Sequence, residues 1–86
     1  MAYTIEILSR PQREIKKLSP ERRSKIIALL ESLALNPRPS GVKKLKGVEN
    51  RWALRSGDYR IVYEIHDDRL IVLVIDIDHR RQVYRR

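Results

Sequence analysis

The side chains able to do chemistry gather in two places: three arginines, Arg51, Arg55 and Arg60, and a basic tail, His79-Arg80-Arg81-Gln82-Val83-Tyr84. If Gly57-Asp58 forms a two-residue turn between strands, Arg55 sits opposite Arg60 and Arg51 sits opposite Glu64. Alternate strand residues share a face, so all three arginines then lie on the side away from Trp52 and Tyr63. Like charges directly opposite each other destabilise a sheet unless an anion or a carboxylate stands between them. A phosphate would meet that need, because the guanidinium fork matches phosphate oxygens. So would a nearby Asp or Glu, or simple splaying into water. Arg51 is the weaker candidate, since Glu64 could pair with it.

The chemistry such a group suggests is RNA cleavage without a metal, in which a 2′-hydroxyl attacks the adjacent phosphorus. That reaction needs a proton acceptor for the hydroxyl, cations for the phosphorane charge, and an acid for the leaving 5′ oxygen. Arg60, Arg80 and Arg81 could supply the charge. A strongly perturbed arginine could act as the acid, although its ordinary pKa makes this demanding. Tyr84 could orient the nucleophile, stack on a base or shuttle a proton. Histidine is the residue type best suited to proton transfer near neutral pH, which makes His79 the obvious conventional base, its alternative being a surface histidine that follows a strand. His66, beside Asp67-Asp68, reads as structural or exposed.

Charge balance agrees with a polyanionic partner. Lys plus Arg number 19 against 11 Asp plus Glu, a formal net charge of +8, and each phosphate contact releases counterions. Lys43, Lys44 and Lys46 form a second basic cluster, read either as RNA-binding or as a solvated loop. There is no cysteine, which excludes disulfides and thiolate zinc sites, and with only two histidines neither a metal nor a cofactor is expected. The apolar run 70–75 is too short to cross a bilayer. The N-terminus lacks the pattern of a signal peptide, so a cytoplasmic protein with no membrane partner is expected.

The positioning elements follow from patterning. Residues 3–8 are rich in β-branched and aromatic types and read as a strand. Ser9 and Gln12 have capping-box spacing for a first helix, with Pro11 tolerated in its first turn and Ile15 and Leu18 facing inward. Ser19-Pro20-Glu21 opens a second helix. Ile26, Leu29, Leu30 and Leu33 form its apolar stripe, and Asn36-Pro37 stops it. So tight a connection implies an antiparallel helical hairpin. Residues 38–47 read as a loop. From Arg51 the period switches to two. Residues 70–75 read as a strand covered on both faces. The expected fold is α+β: a two-layer sandwich of an N-terminal strand, a two-helix hairpin and a largely antiparallel strand meander, one domain over residues 1–86.

In order and spacing, Met1-Ala2-Tyr3-Thr4-Ile5-Glu6, Asn36-Pro37-Arg38-Pro39, Lys44-Leu45-Lys46-Gly47, Leu54-Arg55-Ser56-Gly57-Asp58-Tyr59-Arg60-Ile61-Val62-Tyr63 and the tail from His79 to Tyr84 resemble the RelE/ParE toxin superfamily over essentially the whole chain. The resemblance implies a toxin of a type II toxin–antitoxin system. It implies an acidic, RelB-like antitoxin partner, in a possible heterotetramer, and a RelE-type activity that cleaves mRNA in the ribosomal A site. On that match Arg60 would bind the scissile phosphate. Arg80 or Arg81 would be the acid or charge stabiliser, and Tyr84 would align the nucleophile or stack on the message. RNA-cleaving members carry lysines on the second sheet strand, one as general base; here those positions look like Arg51 and Ala53. The alternative is a ParE-like inhibitor of gyrase without ribonuclease chemistry, against which the tail argues.

Overall fold

The computed structural model describes residues 2–48 and 50–79. The elements run β1 (Thr4–Ile7), α1 (Ser9–Lys16), α2 (Pro20–Leu35), β2 (Lys43–Lys44), β3 (Arg51–Ser56), β4 (Tyr59–His66) and β5 (Ile71–His79). They build one five-stranded sheet in the order β1-β5-β4-β3-β2, with β1 parallel to β5 and the other pairs antiparallel. Both helices contribute to a core on one side of the sheet, which is the expected α+β architecture.

The second helix begins as its sequence dictates. Ser19 Oγ accepts a hydrogen bond from the Arg22 amide at 3.4 Å, and Pro20 occupies the first turn. The first helix does not. Leu8 holds the cap position and no side chain caps it. With the helix starting one residue early, Ser9 is already helical, and Gln12 Nε2 donates instead to the Ile7 carbonyl at 2.7 Å. The end of α1 is closed from outside: Arg23 of α2 donates to the carbonyls of Ile15, Lys16 and Leu18 at 3.4, 3.1 and 3.0 Å. The Ile15 carbonyl also accepts from the Leu18 amide at 3.1 Å, and Arg23 adds a side-chain donor to the carbonyls around this helix end.

The core joins Ile15, Leu18, Ile26, Leu30 and Leu33 to the sheet residues Leu54, Ile61, Tyr63, Ile65, Val72, Val74 and Ile77. Tyr63 is fully buried and its hydroxyl donates to the Pro37 carbonyl at 2.8 Å, which removes the cost of burying it unpaired. Burial pushes its pKa up to about 12. The loop after α2 is held a second time at the sheet end. Arg38 grips Asp67 with two nitrogens at 3.2 and 2.8 Å, and the Tyr3 hydroxyl donates to the same carboxylate at 2.6 Å.

Three expectations change. Residues 70–75 are not covered on both faces: Val72 and Val74 are fully buried, while Ile71, Leu73 and Ile75 are half-buried, because helices cover one face only. Within the expected loop 38–47, Lys43–Lys44 forms a short edge strand on β3, and the Leu45 amide closes it onto the Arg51 carbonyl at 2.9 Å. The third change is a β-bulge. Val62 pairs with Asp76 and Tyr63 with Val74, so Ile75 is an extra residue in β5. The bulge falls where β1 ends: Ile7 pairs with Val74, and the next amide, Leu8, donates to the Val74 carbonyl as α1 begins.

Candidate active site

The two-residue turn at Gly57-Asp58 brings Ser56 opposite Tyr59, and Gly57 takes a positive φ of 59°. This fixes the β3–β4 register, with Arg55 opposite Arg60 and Arg51 opposite Glu64. Trp52, Leu54, Ile61 and Tyr63 therefore face the helices, and the three arginines face the uncovered side. Rows across that side can be read from the pairing. One runs Arg55, Arg60, Asp78; the next Lys43, Ala53, Val62, Asp76; the third Arg51, Glu64, Leu73, Glu6.

The charges in these rows differ in how far they are committed. Arg51 Nε lies 3.4 Å from Glu64, whose other oxygen meets His66 Nε2 at 3.0 Å. Arg51 is thus held by the carboxylate opposite it, as its sequence alternative allowed. Arg60 lies 3.7 Å from Asp78 and keeps 45% of its side chain exposed. That separation is a loose pairing, beyond hydrogen-bond range. Arg55 is exposed and has no ion-pair partner among the described residues. Of the two opposed guanidiniums only that of Arg60 has a carboxylate near it, and the pair can receive an anion.

The lysine cluster is divided. Lys43 faces the uncovered side opposite Ala53. Lys44 faces the other way, its ammonium 5.8 Å from the centre of the Trp52 ring, which also carries the Arg38 guanidinium at 5.2 Å. Lys46 lies exposed in the turn that follows.

The bulge decides the rest. Straight alternation from Val72 would turn Asp76 and Asp78 toward the helices and His79 toward Arg60. The extra residue reverses all three. Asp76 and Asp78 stand on the uncovered side, and Ile77 is buried. His79 pairs with Tyr59 and meets its ring edge-on at 4.8 Å, with the Arg22 guanidinium 5.7 Å from the same ring. The structure therefore does not bring His79 to the arginine face. Arg80, Arg81 and Tyr84 lie outside the described residues.

Two acidic residues and one arginine join the site unforeseen. Asp76 accepts from the Ile77 amide at 3.0 Å and has Arg10 of α1 at 3.8 Å. Burial, then the neighbouring Asp76 carboxylate, push the Asp78 pKa above the ordinary carboxylate value, while Arg60 and Arg10 pull it down. The Asp76-Ile77-Asp78 spacing, with Arg60 on the paired strand, was the available signal. Among the described residues no group of His, Cys, Asp and Glu could hold a metal ion, and no helix is long and apolar enough to cross a membrane.

Residues 6–84 match the family of ParE toxins of type II toxin–antitoxin systems. Toxin RelG of Mycobacterium tuberculosis is 28% identical over 87 residues, covering 100% of both chains. The mRNA interferase toxin RelE of Escherichia coli is 31% identical over 84 residues, covering 95% of this chain and 87% of the relative. The toxin in the crystal structure of the intact Escherichia coli RelBE toxin–antitoxin complex superposes with a TM-score of 0.77 at 30% identity, covering 91% of this chain and 96% of that one.

Proposed function

This chain belongs to the RelE/ParE superfamily of type II toxin–antitoxin toxins, and from that premise we propose that it is an mRNA interferase of the RelE type. It cleaves message in the ribosomal A site without a metal and so stops translation. The observation that carries the reading is the Arg55–Arg60 pair on the uncovered face, one guanidinium loosely paired and the other without an acidic partner among the described residues.

Arg60 holds the scissile phosphate and offsets the charge that builds on its oxygens in the phosphorane-like transition state. Arg55, one strand away, tracks the neighbouring backbone phosphate as a charge-assisted donor. Lys43 extends the same face toward the β2 edge. Arg80 or Arg81 adds charge or the leaving-group proton, and Tyr84 aligns the 2′-hydroxyl or stacks on a base. Arg51, committed to Glu64, contributes to the sheet more than to the message. The partner is an acidic, RelB-like antitoxin that neutralises the +8 chain, and the complex is a heterotetramer in the cytoplasm.

The family model that matches bears the ParE description, and this favours one second reading, inhibition of gyrase without RNA chemistry. A translation extract separates the two. Codon-positioned breaks in the message, with gyrase supercoiling unaffected, support the interferase. Halted supercoiling with intact message supports the other.

A further inference from the structure

Metal-free cleavage needs a proton acceptor beside the phosphate, and the uncovered face offers four carboxylates among the described residues: Glu6, Glu64, Asp76 and Asp78. Glu6 lies on the far edge strand, opposite Leu73. Glu64 is held between Arg51 and His66. Asp76 already accepts a hydrogen bond from the Ile77 amide at 3.0 Å and stands 3.8 Å from Arg10, which belongs to α1 and not to the arginine face. Asp78 is different. Its nearest cation is Arg60, the phosphate-gripping group, at 3.7 Å, and 21% of its side chain remains exposed. Resting on the ribonuclease reading, we propose that Asp78 accepts the proton of the attacking 2′-hydroxyl, with Asp76 beside it holding that proton in place.

Residues paired across an antiparallel ladder lie about 4.5–5.5 Å apart. A phosphate seated on Arg60 therefore brings the adjoining 2′-oxygen within reach of Asp78. The step balances. The 2′-O–H proton passes to Asp78, and the oxygen's electron pair forms the bond to phosphorus. The bond from phosphorus to the 5′ oxygen breaks, and that oxygen takes a proton from water. The hydroxide so formed takes the proton from Asp78, which returns to its carboxylate. The products are a 2′,3′-cyclic phosphate and a 5′-hydroxyl. Asp78 meets Asp76 on its own strand, Arg60 from β4 and Arg10 from α1, with Arg55 one strand further on. Its raised pKa moves it toward neutrality, where a carboxylate base is most effective. His79 follows it in the chain but faces Tyr59 on the other side.

The test is single-turnover cleavage in a translation extract, followed from about pH 5 to 8 for the wild-type chain, Asp78→Asn and Asp78→Glu. The Asn variant should bind ribosomes as the wild type does, melt at a similar temperature and cleave about 10²–10⁴-fold more slowly. The wild-type profile should carry an acidic limb that Asn abolishes, and Asp78→Glu should recover part of the rate. An Asn variant that cleaves at the wild-type rate or faster reduces Asp78 to a counter-ion of Arg60 and overturns the inference alone. Should the Asn variant fail to fold, an active wild type without an acidic limb, or a Glu variant with an unshifted one, overturns it equally. A wild-type chain that leaves message intact overturns the ribonuclease reading itself.

Discussion

Arg55 and Arg60 are cross-strand partners on the uncovered face of the sheet. Opposed like charges of this kind cost a sheet a few tenths of a kcal/mol to about 1 kcal/mol, and here Asp78 offsets the cost from 3.7 Å on one side only. A nucleic-acid backbone seated on both guanidiniums would relieve the repulsion. Arg55→Ala should therefore leave the melting temperature unchanged or slightly raised. It should weaken RNA binding evenly across sequences and lower the salt slope of log K by about one. Filter binding across a salt series measures this; an unchanged slope would remove Arg55 from the interface.

His79 stands edge-on to Tyr59 on the helix side of the sheet. A base for the 2′-hydroxyl has to be within hydrogen-bond reach of it, and the sheet lies between His79 and the arginines. His79→Phe keeps an aromatic ring against Tyr59 and should keep cleavage within a few-fold of the wild type. Loss of cleavage in a folded His79→Phe chain would return the histidine to the mechanism.

Asp67 ties the loop after α2 to the N-terminal strand. The hydrogen bonds from Arg38, then from Tyr3, lower its pKa from 3.8 to about 2. A carboxylate whose folded value is depressed contributes stability above its unfolded value and loses it as pH falls through the folded one. The melting-temperature advantage of the wild type over Asp67→Asn should thus be full above about pH 4 and fade as pH approaches 2. Thermal melts at intervals through that window check it, and an advantage that does not change with pH would contradict it.

Tyr63→Phe removes a hydroxyl that is fully buried and donates to the Pro37 carbonyl. The carbonyl loses its partner in the interior, at a cost of about 1–3 kcal/mol. Denaturant unfolding, followed through Trp52, the sole tryptophan, should show a lower midpoint with an unchanged slope. A midpoint equal to the wild type would mean that the carbonyl finds another donor.

Much of this was legible in the residues. The Gly57-Asp58 turn sets the β3–β4 register by itself, so the positions of Arg51, Arg55, Arg60 and Glu64 follow from period two. Ser19-Pro20 sets the start of α2 because cap and proline act locally. What was not legible depends on partners far along the chain. The parallel pairing of β1 with β5 has no local signal. Lys43–Lys44 becomes a strand only because β3 offers an edge. Above all, the extra residue at Ile75 inverts the side chains from Asp76 to His79. One inserted residue moved His79 away from the arginines and brought Asp76 and Asp78 to them.

The most direct measurement of the central claim is primer extension on a defined message in a translation extract, with the wild-type chain and with Arg60→Ala. The wild type should produce breaks in phase with ribosomal codons. Arg60→Ala, folded and able to bind ribosomes, should cut about 10²–10³-fold more slowly. Intact message at stoichiometric wild-type toxin, or undiminished cutting by Arg60→Ala, would contradict the proposal that this arginine face cleaves RNA.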